Sequence, residues 1–94
     1  MDRVELIRER INQALAPAQL EIIDDSHLHI GHAGAAGGGG HFSVRIVADK
    51  FNNHKLIERH RMVYAAVSDL MPAEIHALSI TALTPEEQQS QSPT

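Results

Sequence analysis

Ninety-four residues make one domain with room for a single modest core, and with two Phe, one Tyr and no Trp that core is aliphatic. A net charge of −4 argues against a tight, sequence-independent grip on nucleic acid through a broad basic surface, while leaving room for a local basic face at Lys50, Lys55, Arg59 and Arg61. The absence of cysteine excludes a disulfide scaffold, and no apolar run approaches the ~18 residues of a membrane span.

Residues 2–16 have the spacing of an amphipathic helix. Val4, Ile7, Ile11, Ala14 and Leu15 share a stripe, while Glu5, Arg8, Glu9, Arg10 and Gln13 lie mostly on the wet side. Asp2 is the N-cap, Glu5 its capping-box partner, and Pro17 the stop. Residues 20–25 form a short strand. A glycine-rich loop of about fifteen residues follows, too long for an ordinary connection and carrying His27, His29 and His32, with His41 at its end.

In the second strand Phe42, Val44 and Ile46 face one way and Ser43 and Arg45 the other, the pattern of a sheet packed on one side. Phe51-Asn52-Asn53-His54 is a turn, because Asn tolerates the left-handed conformation. A helix is predicted over about 54–70, with Leu56, His60, Val63, Val67 and Leu70 inward and Tyr64 on its flank. Residues 75–83 are the third strand, with Leu78, Ile80, Ala82 and His76 on one face. Thr84 then caps one helical turn with Pro85 at its first position. The polar remainder, 87–94, is expected to be a disordered tail to a domain of residues 1–86. The order α-β-β-α-β, with the last strand parallel to the second, is an α+β two-layer sandwich: a three-stranded mixed sheet with both helices on one face.

Imidazole titrates near neutrality and its neutral form ligates metals, so the histidines are the candidate chemistry. A glycine-rich loop could fold His27, His29 and His32 around an ion, although the His-x-His-x2-His spacing fits no structural zinc template. The plainer reading is a flexible surface loop. Gly31-His32-Ala33-Gly34 fits the G-x-x-G of KH-type RNA binders, but here it joins strands rather than helices. His76, at the first end of a strand, is a fixed imidazole beside that loop, and the two form a two-point ligand pair. His60, inside the apolar stripe, reads as a hydrogen-bonded core residue. Arg59 and Arg61 project to either side of it and, with Lys50 and Lys55, could meet phosphate or an acidic partner; ordinary solvated charge is the plainer reading. No nucleophile–base arrangement stands out, so no enzyme is expected. The N-terminus lacks an apolar leader, and a cytoplasmic protein is expected.

Together, Asp24-Asp25-Ser26-His27-Leu28-His29-Ile30-Gly31-His32-Ala33-Gly34, the segment 41–47, Phe51 with Arg59-His60-Arg61-Met62-Val63-Tyr64-Ala65, Ile75-His76-Ala77-Leu78-Ser79-Ile80, and Thr84-Pro85-Glu86 resemble the BolA family, in order from about residue 3 to 87. The resemblance implies a class II KH-like fold. It also implies pairing with a monothiol glutaredoxin bearing a Cys-Gly-Phe-Ser site as a heterodimer, the chain alone being a monomer or weak homodimer. A [2Fe–2S] cluster would bridge the two, the glutaredoxin cysteine and glutathione giving thiolates. By position His76 is the strand ligand, and His29, with His32 as the alternative, the loop ligand. A chain without cysteine completes a cluster only by sharing, and its imidazoles must be neutral to ligate, so binding weakens below about pH 6. The competing implication is a KH-like, nucleic-acid-binding transcriptional regulator. The family usually has Phe-x-Gly where this chain has Phe51-Asn52-Asn53.

Overall fold

The computed structural model describes residues 2–26 and 39–91. Helix α1 spans Arg3–Leu15, strand β1 Gln19–Asp24, β2 Gly40–Val47, α2 Leu56–Ala66, β3 Ile75–Leu83 and α3 Pro85–Gln91; single 3-10 turns lie at Asp49–Phe51 and Ser68–Leu70. The sheet order is β1-β2-β3, with β1 antiparallel to β2 and β2 parallel to β3. Among the described residues no helix is long and apolar enough to cross a membrane.

The expected α+β sandwich is the fold. Phe42, Val44 and Ile46 project from β2 into a core shared with Ile7, Ile11 and Leu15 of α1 and Val63 of α2, with Val67 just beyond that helix, so α1 and α2 cover one face of the sheet. Each such buried side chain contributes about 1.5–3 kcal/mol. The Asp2 carboxylate accepts the Glu5 N–H at 2.9 Å, as the cap reading requires. Ala16 closes α1 in the left-handed conformation (φ 43°), and Asn53 takes it (φ 65°) in the turn before α2. Ala14, placed on the α1 stripe, is exposed.

Three expectations need correction. The helix read over 54–70 is α2 followed by the 3-10 turn at Ser68–Leu70, and its inner stripe is rotated. Leu56 is 64% exposed, His60 is half-buried, and Arg59 is buried at 7% exposure. An apolar count passes over arginine, yet its stem buries readily where main-chain carbonyls await the guanidinium. The Arg59 Nε–H donates to His54 O at 2.8 Å, and Nη1–H donates to Ala82 O at 3.1 Å.

The second correction concerns His76. Gly40 pairs with Ile75 but His41 pairs with Ala77, so β3 carries one extra residue at that point. The shift breaks the alternation: Ile75 and Leu78 are both buried, and His76 turns out to solvent rather than joining the face of Leu78 and Ala82.

The third concerns the C-terminal segment. The helix begun at Pro85 continues to Gln91 instead of giving way to a disordered tail at 87. Thr84 and Glu87 form a capping box: the Glu87 N–H donates to Thr84 Oγ1 at 3.1 Å, and the Thr84 N–H donates to Glu87 Oε1 at 2.9 Å. Arg59 then donates to both Glu87 carboxylate oxygens, at 2.6 and 3.3 Å. A long-range ion pair thus anchors a helix of only seven residues that would not persist alone.

The Arg59 guanidinium, helped by the Thr84 N–H, pulls the Glu87 carboxyl down to about 2. A folded-state value below the unfolded one stabilises at pH above the unfolded value and is lost as pH falls through the folded one. Helix α3 is therefore expected to loosen from β3 between about pH 4.5 and 2. Amide exchange at residues 85–91 should rise over that interval in the wild type; in Glu87→Gln it should be raised already at neutral pH and change little.

Candidate histidine site at the end of the sheet

The parallel pairing of β2 and β3 brings the first ends of both strands together, and each carries a histidine there. His41 precedes Phe42, so with Phe42 in the core it lies on the open face of the sheet, with Ser43 and Arg45. His76 Nδ1 stands 3.3 Å from His41 Nε2, with ring centroids 5.1 Å apart and planes tilted by 47°. His76 is exposed and His41 half-buried.

Backbone constraints hold the pair. The His41 N–H donates to Ser26 Oγ at 3.1 Å, and its carbonyl accepts the Asp25 N–H at 2.7 Å. The Ser43 hydroxyl donates to Asp25 Oδ2 at 2.6 Å, fixing the carboxylate beside His41 across the strand pair. On the other side the Gly40 N–H donates to Glu74 O at 3.0 Å. Gly39 sits at φ 73°, and a Cβ there would come within 2.8 Å of Pro72 O and 3.2 Å of His76 Cβ. Only glycine lets the chain enter β2 this close to His76.

Chemically, the pair is two imidazole donors open to solvent. Among the described residues no group of three or more metal-ligating side chains converges. Anything held here by metal–ligand bonds needs further ligands from outside the described residues or from another molecule.

His29 and His32, with His27, lie outside the described residues. His41 is the functional candidate that sequence reading missed. The signal was present: a histidine one residue before an inward Phe must face outward, and parallel pairing sets it level with the start of β3.

The basic stretch does not assemble. Arg59 is buried and paired with Glu87, and Lys50 Nζ donates to Ala14 O at the end of α1 at 3.0 Å. Lys55 caps α2, where its N–H donates to Glu58 Oε1 at 2.8 Å. Arg61 is exposed on α2. Of the four cations, Lys50, Lys55 and Arg61 remain at the surface, and among the described residues none of these three has an ion pair.

A family model described as BolA-like protein matches residues 11–87. The chain is 34% identical over 83 residues to the DNA-binding transcriptional regulator BolA of Escherichia coli, covering 88% of this chain and 76% of that one. It is 43% identical over 86 residues to SufE-like protein 1, chloroplastic/mitochondrial, of Arabidopsis thaliana; this covers 86% of the chain but only 23% of that longer protein. Among solved structures, the BolA domain of SufE1 from Arabidopsis thaliana superposes with a TM-score of 0.81 at 41% identity, over 93% of this chain and 96% of that one.

Proposed function

The chain belongs to the BolA-like family, and from that membership we propose that it partners a Cys-Gly-Phe-Ser monothiol glutaredoxin and shares a [2Fe–2S] cluster with it. The observation that carries this reading is the exposed His41–His76 pair in a chain with no thiol. Two imidazoles make half of a ligand set, and a cysteine with glutathione on the partner would make the other half. Tetrahedral metal sites with bonds of about 2.0–2.1 Å to nitrogen place two such ligands about 3.3–3.4 Å apart. The facing nitrogens of His41 and His76 stand 3.3 Å apart, close enough for both imidazoles to be offered to one iron of the cluster once their mutual hydrogen bond is given up. His76 is the principal ligand. His41 is the imidazole in contact with it, and His29, or in its place His32, is the loop ligand implied by the family. When bound, the cluster supplies a transferable iron–sulfur unit, with a reduction potential raised by nitrogen ligation. The protein itself acts as a cluster carrier or iron sensor rather than a catalyst.

The test is to titrate the protein into a cluster-loaded monothiol glutaredoxin while following visible absorption and circular dichroism. A changed spectrum that saturates at one-to-one supports the reading. An unchanged spectrum, with the partner and its cluster intact, overturns it.

The Escherichia coli relative is a DNA-binding transcriptional regulator, so duplex DNA is the second reading, through Lys50, Lys55, Arg59 and Arg61. Burial of Arg59 leaves that reading three surface cations, Lys50, Lys55 and Arg61, of which Lys50 already donates to Ala14 O.

A further inference from the structure

Helix α2 exposes more apolar surface than its place in the core explains. Leu56 is 64% exposed, Ile57 60% and Tyr64 40%, and among the described residues Ile23 is the one other large apolar side chain so exposed. Positions 57, 61 and 64 follow the i, i+4, i+7 spacing of one helix stripe, with half-buried His60 beside them. Arg61, within that stripe, is the odd arginine of the chain. Arg3, Arg8, Arg10, Arg45 and Arg59 each lie within 4.0 Å of a carboxylate, on Glu74, Glu5, Asp69, Glu21 and Glu87 respectively. Arg61 has no such carboxylate partner among the described residues.

The stripe reaches the strand that carries His76. The Tyr64 hydroxyl donates to Leu78 O at 3.2 Å, so its ring spans from α2 to β3, the outer strand of the sheet. Leu78 is two residues beyond His76, about 7 Å along the strand. From Tyr64 back to Ile57 is about 10 Å along the helix. One contact face of about 800 Å², ordinary for a specific complex, spans that distance. Tyr64, held at its hydroxyl with its ring partly open, is a rigid anchor of the kind that dominates interfaces, and Arg is the other residue type enriched there.

We propose that this flank of α2, through Ile57, Arg61 and Tyr64, docks the glutaredoxin whose cluster meets His76, and that it does so before any cluster is present. This rests on the function proposed above. Charge specifies the occupant's chemistry: a carboxylate flanked by aliphatic side chains satisfies Arg61 while covering Ile57 and Leu56. A nucleic acid fits less well. Neutralising several phosphates needs several cations, and this flank offers Arg61, with Lys55 at its edge, among exposed aliphatic groups. Docking first and ligating second means that affinity and cluster binding are carried by different residues.

Calorimetry with cluster-free Cys-Gly-Phe-Ser glutaredoxin tests this. Arg61→Glu and Ile57→Ser, each checked for wild-type far-ultraviolet circular dichroism, are expected to weaken binding at least tenfold. Gln13→Glu, a charge change on exposed α1, should stay within twofold. Wild-type affinity in both α2 variants, with a normal cluster spectrum when loaded, overturns the docking surface and leaves the proposed function standing. No binding of the wild type with or without cluster overturns the proposed function and the docking surface together. Loss of duplex DNA binding in Arg61→Glu with glutaredoxin affinity unchanged gives the face to nucleic acid and overturns it as well.

Discussion

Replacing Arg59 with Ala is expected to cost about 2–3 kcal/mol through the lost charge-assisted bonds to two backbone carbonyls alone, lowering the melting temperature of a domain this size by roughly 10–20 °C. The guanidinium reaches three separate parts of the chain: the turn before α2 at His54 O, the end of β3 at Ala82 O, and α3 at Glu87. Truncation strands both carbonyls in a site where the arginine side chain is 9% exposed, and leaves the Glu87 carboxylate without its cation. Arg59→Lys keeps the charge but not the planar fork, so it can satisfy one partner at a time and should fall between wild type and Ala. Arg61→Ala, two residues on and at the surface, should move stability by no more than about 0.5 kcal/mol. Thermal and urea unfolding of the three variants checks this. Amide exchange adds a second readout: α3 should lose protection in Arg59→Ala at temperatures where the β2–β3 pairing keeps it. Equal stability of Arg59→Ala and Arg61→Ala would refute the structural role.

The second large effect is at the histidine pair. His76→Ala is expected to weaken cluster sharing with the glutaredoxin by more than the ~10–100-fold that changes to outer-shell partners cost, because it removes a ligand itself. Affinity of the cluster-free proteins for each other should remain near wild type. His41→Ala separates two arrangements of the second ligand. If His41 ligates iron alongside His76, its loss should shift the visible circular dichroism as strongly as His76→Ala does. If the loop ligand is His29, His41→Ala should leave the spectrum nearly unchanged and His29→Ala should alter it. His76 is exposed and His41 half-buried, so neither change opens a core cavity and unfolding curves should stay close to wild type. A wild-type spectrum in His76→Ala would exclude the strand ligand altogether.

The parts of this molecule legible in the sequence are those governed by local periodicity. Alternation along 42–46 identified the buried face of β2, because a strand has period two and one wet side. Asp2 before a helical stripe, Pro17 after it, and Asn53 in the turn marked boundaries through capping and left-handed backbone chemistry. Seven histidines without one cysteine also indicated which donors this chain can bring to a metal. Family membership followed from motifs that string these features together in order.

Tertiary structure decided the rest, at positions where a residue's partner is distant in sequence. Arg59 is buried because carbonyls 5 and 23 residues away, and a carboxylate 28 away, converge on it, which no helical stripe of apolar residues can reveal. The same ion pair is why α3 persists through Gln91, where composition alone reads as a polar tail. His76 turns outward because one extra residue in β3 breaks the alternation that predicted an inward face, and it meets His41 across 35 residues of sequence because β2 and β3 pair in parallel. Local chemistry determined which groups this protein could use; long-range pairing determined which of them meet.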